Sequence, residues 1–184
     1  ELSGRIKSWD PEAVVVTGGT HPTFLPERTL RQESVDYVGM GEAEESLPAL
    51  LRAVESGRGF EDVDGLAWRE NEDIRVHPKT TWIKDLDSLP FPARDMLPLE
   101  KYFDINIPFI FFSKSPRNVT VITSRGCPCR CNFCSSTRFW GGRYRTRSPE
   151  SVLVELEHIK SRYGVREVKM EDDNLTFNRE RAKR

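Results

Sequence analysis

The chain holds four cysteines, and all four fall between positions 127 and 134, in the run Cys127-Pro128-Cys129-Arg130-Cys131-Asn132-Phe133-Cys134. A set this tight is no disulfide framework, because no distant cysteine is left to staple. A two-pair zinc pattern needs a second CxxC or an HxxxH, and the sequence has neither. The run predicts a soft thiolate cage on one loop, suited to an iron–sulfur cluster or a compact metal site. Taken as Cys127-x3-Cys131-x2-Cys134, it supplies three thiolates. Three protein ligands on a cubane of four irons leave one iron open. An open coordination position is what lets a metal centre bind a substrate, as in catalytic zinc. With Cys129 counted, the alternative is a four-cysteine structural zinc knot. CxCxC is cramped for one tetrahedral ion, because alternate residues of an extended loop point the same way.

The spacing CxxxCxxC, with the aromatic Phe133 directly before the last cysteine, resembles the cluster motif of the radical S-adenosylmethionine enzymes. Thr123-Ser124-Arg125-Gly126 before it and Ser135-Ser136 after it fit the same resemblance. The resemblance implies a 4Fe–4S cluster on Cys127, Cys131 and Cys134, whose open iron chelates the amino and carboxylate groups of S-adenosylmethionine. One electron from the cluster then cleaves the sulfonium and yields a 5′-deoxyadenosyl radical, with Phe133 near the adenine. Cys129 departs from the pattern, since family members often carry an aromatic there. It is either a spare thiol or a competing ligand.

Earlier in the chain, the β-branched run 13–17 ending in Gly18-Gly19 predicts a buried parallel strand and a tight turn. A short helix is expected over 26–32 and a short strand over 36–39. A longer helix follows, with Leu47, Leu50, Leu51 and Val54 on one face, Pro48 in its first turn and Gly57 at its end. Strand–helix–strand–helix order suits the second half of a doubly wound sheet. Glycines at a strand's carboxyl end let a ligand approach the backbone, or merely turn the chain. VVVTGGTHPT, VDYVGMGEAEESLPALL and DVDGLAWRENEDIRV together resemble the C-terminal half of a cobalamin-binding domain. That likeness implies cobalamin contacts at Gly18 and Gly19 and a GEGE-type turn at Gly41, Glu42 and Glu44. It also implies a piece of a longer protein, since the domain's first half and its Asp-x-His-x-x-Gly loop are not in the sequence. Of the histidines, only His21 stands close to the Gly-Gly pair.

Residues 65–69 and 74–77, flanking Glu70 to Asp73, predict a hairpin. From Asp85 onward prolines punctuate the chain among Phe91, Leu97, Tyr102, Phe103, Phe109, Phe111 and Phe112, so the stretch is expected to be an ordered connector. Its opening, DLDSLPFPARDMLP, resembles the linker between cobalamin and radical domains. An alternative makes 105–112 an edge strand or a partner surface. Residues 118–123 predict a strand feeding the cysteine loop. Ser148-Pro149-Glu150 starts a helix whose apolar face is Val152, Leu153, Leu156, Ile159 and Tyr163, and Gly164 stops it. A strand over 167–170 then ends in Glu171-Asp172-Asp173-Asn174. Strand, helix, strand of this length is a βαβ unit with parallel strands, so the cysteine loop and the acidic turn share one rim. The resemblance gives Glu171, Asp172 and Asp173 to S-adenosylmethionine; the bland reading is a solvated acidic turn. Arg143, Arg145 and Arg147 alternate before the helix, either to orient carboxylates or as a charged surface strand.

A net charge of −1 gives no field for nucleic acid or anionic membrane, and no apolar run approaches a membrane span. Clustered free thiols suit the reducing cytoplasm. The expected architecture is α/β: the C-terminal half of a doubly wound, Rossmann-like cobalamin-binding domain, then the first βα units of a partial TIM-type radical barrel. The expected divisions are 1–84, a connector at 85–117, and 118–184. By resemblance the cofactors are a 4Fe–4S cluster, S-adenosylmethionine and cobalamin, and the partners a small-molecule substrate and a reductant such as flavodoxin or ferredoxin. The expected chemistry is methyl transfer to, or rearrangement of, an unactivated carbon. The competing classes are a non-catalytic zinc or iron–sulfur module and an electron-transfer domain using Cys129 as fourth ligand.

Overall fold

Helix α1 (Leu2–Trp9) leads to strand β1 (Val16–Thr17), and two short helices, α2 (Thr20–Phe24) and α3 (Pro26–Leu30), return the chain to strand β2 (Tyr37–Gly39), parallel to β1. Helix α4 (Ser46–Ser56) follows, then the hairpin of β3 (Leu66–Glu70) and β4 (Asp73–His77). Strand β3 joins β2 antiparallel, so the sheet order is β1-β2-β3-β4. The structure is a computed structural model and describes residues 1–105 and 113–184. It divides into two units, Glu1–Ile83 and Lys84–Arg184.

In the first unit the sheet is covered on both faces. Val38 and Ala67 are register partners, both fully buried against Leu30, Val35 and Met40. Their strand neighbours Tyr37, Leu66 and Trp68 belong to the opposite cluster, with Leu50 and Ala53 of α4 and Val63. This alternation is the period of two that a pleated strand imposes. Fully burying one such side chain is worth about 1.5–3 kcal/mol. An exposed pair such as Arg75–Glu70, at 2.8 Å, is worth about 0–1 kcal/mol, so packing holds this unit together.

Two expectations need correction here. The run 13–17 is not a buried strand: only Val16 and Thr17 pair, and Val14 and Val16 are 49% and 37% exposed. Strand β1 is the sheet edge, and the Val15 N–H is taken by the Asp36 carboxylate at 2.7 Å. On α4 the buried stripe is Ser46, Leu50 and Ala53, while Leu47 and Leu51 are 43% and 51% exposed. The small Ala53, a weak apolar signal, faces the sheet in their place. The ends behave as expected, with Gly57 capping α4 in the left-handed conformation at φ 70°.

The tail of this unit is tied down by two carboxylates. Asp64 accepts hydrogen bonds from the Thr80 and Thr81 N–H groups at 2.7 and 3.1 Å and from both hydroxyls at 2.6 Å, and it pairs with Lys79 at 3.1 Å. Partial burial pulls its carboxyl upward, but the hydrogen bonds from Thr80, Thr81 and Lys79 outweigh that and hold it well below the carboxylate range. Glu42, 4% exposed, accepts from the Ile83 N–H at 3.0 Å.

The second unit contains α5 (Leu99–Ile105), β5 (Asn118–Val121), β6 (Ser124–Arg125), α6 (Ser136–Phe139), β7 (Arg145–Thr146), α7 (Pro149–Tyr163), β8 (Glu167–Met170) and α8 (Arg179–Lys183). Strands β5 and β8 are parallel, in register from Asn118↔Glu167 to Val121↔Met170, and α7 is their crossover. It begins where the Ser148 hydroxyl accepts from the Ser151 N–H at 3.1 Å, with Pro149 at its first position, and ends at Gly164 with φ 62°. Phe103, Val121, Ile159 and Val165 form the core. Arg117 lies 4.5 Å over the Phe103 ring, donates to Glu100 through two 2.8 Å bonds and reaches the Tyr163 carbonyl.

The face of α7 also differs from its apolar reading. Leu153 is 54% exposed, and the buried positions are Val152, Glu155 and Ile159. Glu155 is buried because two arginines meet it: Arg94 at 2.7 Å, from a turn of 3-10 helix at Arg94–Met96, and Arg147, just before the helix. The edge strand or partner surface considered for 105–112 lies, from 106 onward, outside the described residues, as do Phe109, Phe111 and Phe112. Among the described residues no helix is long and apolar enough to cross a membrane.

Candidate functional site

In the first unit, the carboxyl ends of β1 and β2 open on a cavity of about 240 Å³ lined by Thr17, Gly18, Gly19, Gly41, Leu47 and Gly65 among others. Carboxyl ends of parallel strands are where open α/β sheets bind ligands. Gly18, Gly19, Gly39, Gly41 and Gly65 bring backbone into the lining. A Cβ on Gly18 would lie 3.3 Å from the Gly39 carbonyl, and one on Gly65 would lie 2.7 Å from that of Met40. Gly19 has φ 95°, a conformation that favours glycine. Leu47, which failed as a core residue, lines this cavity. A small apolar cavity lined by Leu47, Leu50, Val63 and Leu66 and by glycine backbone takes one apolar end of a larger ligand against the chain, and to that extent the residues fit part of cobalamin. Of the acidic turn, Gly41 lines the cavity, whereas Glu42 is spent on Ile83 and Glu44 is exposed. His21 is exposed in α2, outside the lining.

In the second unit, the cysteine loop leaves β6 through Gly126, whose φ is 84°. A side chain there would overlap the Arg143 carbonyl and crowd Trp140, so glycine alone lets the loop tuck against that turn. Strand β7 pairs with β6 (Ser124↔Thr146, Arg125↔Arg145), and Trp140 lies 5.7 Å from both Arg125 and Arg145. Arg125 and Arg145 thus meet Trp140 beside the base of the loop.

Cys127 and Cys134 are half-buried, and Cys129 and Cys131 are exposed. The Cys134 N–H donates to the Cys131 carbonyl at 3.2 Å, and the Thr137 hydroxyl to the Cys129 carbonyl at 2.6 Å. The backbone N–H of Cys129 and the Asn174 amide hold the Cys127 thiol below its ordinary value, while hydrogen bonding and charge from Cys127 push the Cys129 thiol up. The donor set is soft, reduced and close to solvent, which fits an iron–sulfur cluster. Among the described residues no three His, Cys, Asp or Glu side chains are gathered closely enough to hold one metal ion. Phe133 is 88% exposed.

The acidic turn after β8 meets this loop. Asp172 accepts from the Thr123 N–H at 3.1 and 3.2 Å, from the Thr123 hydroxyl at 2.9 Å, and from the Ser124 hydroxyl. Asn174 Nδ2 donates to Cys127 Sγ at 3.7 Å. Glu171 is half-buried and Asp173 exposed. Arg181 of α8, which no motif flagged, donates to the carbonyls of Arg147 and Thr123 at 2.8 and 2.9 Å.

A B12-binding domain model matches residues 1–51. The chain is 38% identical over 177 residues to the uncharacterized methyltransferase PH0819 of Pyrococcus horikoshii, covering 96% of this chain and 37% of that protein. It is 30% identical over 170 residues to the anaerobic magnesium-protoporphyrin IX monomethyl ester cyclase of Synechocystis, covering 92% and 32%. Its fold matches the radical S-adenosylmethionine methyltransferase TsrM of Kitasatospora setae, solved with tryptophan substrate and an S-adenosylmethionine analogue. The TM-score is 0.74 at 20% identity, over 99% of this chain and 34% of that one. TsrM has also been solved with cobalamin and a 4Fe–4S cluster. The chain therefore spans about a third of the length of these proteins.

Proposed function

Because the chain belongs to the cobalamin-binding-domain-containing radical S-adenosylmethionine enzymes, we propose that it contributes the cobalamin cradle and the cluster loop of such an enzyme. The proposed reaction is methyl transfer to, or ring closure at, an unactivated carbon of a small molecule. The observation that carries this reading is the shared rim: parallel β5 and β8 join the cysteine loop to the acidic turn through Asp172 and Asn174.

Cys127, Cys131 and Cys134 would hold the 4Fe–4S cluster, which supplies the electron that cleaves the sulfonium of S-adenosylmethionine. Gly18 and Gly19 would lie against cobalamin, which supplies the methyl-carrying cobalt. Phe133, exposed beside the last cysteine, is assigned to the adenine. Glu171 and Asp173 are assigned to the amino group or the ribose hydroxyls. Asp172, already hydrogen-bonded to Thr123 and Ser124, orients the turn for them. Bracing by Arg125, Trp140 and Arg145 keeps the loop's base in place while its ligands take up the cofactor. A reductant such as flavodoxin or ferredoxin would feed the exposed loop, in a reducing cytoplasm.

The test is anaerobic reconstitution with iron and sulfide, followed by electron paramagnetic resonance of the reduced protein with and without S-adenosylmethionine. A 4Fe–4S signal that changes with the nucleotide is expected. Cys131→Ala is expected to abolish the signal and Cys129→Ala to keep it. A cluster blind to the nucleotide and dependent on Cys129 would make this an electron-transfer module. Zinc without any cluster would make the octapeptide a structural knot.

A further inference from the structure

We infer that Asn174 is the hydrogen-bond donor that sets the electron affinity of the thiolate centre at Cys127. The inference rests on the cluster reading above and deepens it. The Asn174 amide reaches Cys127 Sγ at 3.7 Å across 47 positions of sequence. It is a held donor. Two residues earlier, Asp172 is fastened to Thr123 and Ser124, each 2% exposed. The same two residues lead through Arg125 and Gly126 into Cys127. Donor and acceptor thus hang from one buried anchor, and their separation is fixed by backbone on both sides.

The chemistry of the turn has a sign. An N–H aimed at a thiolate sulfur favours the more negative state of whatever that sulfur binds, and reduction adds negative charge. Hydrogen bonds to the sulfurs are one of the terms that set cluster potentials. Asn174 therefore makes the centre easier to reduce. Asp173, one residue before it, acts on the same thiol in the opposite direction through its charge. A fourth consecutive carboxylate, after Glu171, Asp172 and Asp173, would replace the donor with a repelling acceptor.

The experiment is a redox titration of the anaerobically reconstituted full chain, with iron counted per chain. Wild type, Asn174→Leu, Asn174→Asp and Asp173→Asn are compared. Asn174→Leu removes the donor at similar volume, and Asn174→Asp keeps the shape but reverses its polarity. With iron content maintained, the ratio of reduced to oxidised centre at the wild-type midpoint is expected to fall about tenfold in Asn174→Leu, as for loss of one hydrogen bond to a charged group. It is expected to fall further in Asn174→Asp and to rise in Asp173→Asn. Midpoints unchanged in both Asn174 variants overturn the inference and leave the cluster reading standing. Reduced iron content with an unshifted midpoint in the cluster that remains means a structural strut, and also overturns it. If wild type itself takes up no cluster, the cluster reading fails and this inference fails with it.

Discussion

Asp64 shows how one carboxylate governs a segment. Its oxygens collect four hydrogen bonds from Thr80 and Thr81 and the Lys79 charge, and together these fold the end of the first unit back on itself. Its folded value is depressed below the ordinary carboxylate value of about 3.9, so the unfolded chain binds the proton first as acid is added. The stabilisation is therefore complete above about pH 4 and is lost as the pH falls from there toward the depressed folded value. Urea midpoints at pH 7, 4 and 3 are expected to drop steeply in the wild type. Asp64→Asn should start lower at pH 7 and show a shallower drop. Equal slopes in the two proteins would mean that other carboxylates carry the acid response.

At the scale of elements, α7 is held by a carboxylate as well as by its apolar stripe. Glu155 is buried with Arg94 and Arg147 around it. Removing one member of a buried charge cluster strands the others without solvent, at a cost of about 3–5 kcal/mol. Glu155→Ala is expected to lose that much in chemical unfolding, and a loss below about 1 kcal/mol would reduce the network to a surface pair. The start and stop of α7 were legible in sequence because Ser148, Pro149 and Gly164 act locally, through a cap, a fixed φ and a left-handed turn. The parallel pairing of β5 and β8 followed from the length of the crossover. What faces inward was harder to read, because periodicity marks side chains by polarity alone. Leu153 looked like core and is exposed, while Glu155, which an apolar pattern passes over, is buried because Arg94 arrives from 61 positions away. The same limit hid Leu47, which lines a cavity, and Arg181, whose acceptors are backbone carbonyls and leave no sequence signature. The cysteine loop could be seen from spacing, whereas the attachment of Asp172 to Thr123 and Ser124 needed coordinates.

For the molecule as a whole, the two units carry separate candidate sites, and the proposed cofactors should be separable by mutation. Gly18→Val puts a branched side chain where even a Cβ lies 3.3 Å from the Gly39 carbonyl. It is expected to destabilise the first unit by roughly 1–3 kcal/mol through overpacking and to weaken cobalamin binding about tenfold (~1.4 kcal/mol), read from visible absorption, with iron per chain unchanged. Cys131→Ala is expected to do the reverse. Loss of both cofactors in either variant would tie the two sites to one folding event. The Glu155 cluster has a consequence for inheritance. Its three members come from a turn before α5, from the residue leading into the Ser148 cap, and from the middle of α7. Losing Glu155 first strands two arginines, whereas losing Arg94 or Arg147 first leaves Glu155 with its other partner, so the order of replacement decides the cost. A lineage changing one codon at a time is therefore expected to give up Glu155 last, and a recombination that brings α7 from one ancestor to the stretch before α5 from another keeps the full cluster only where both parents carry it.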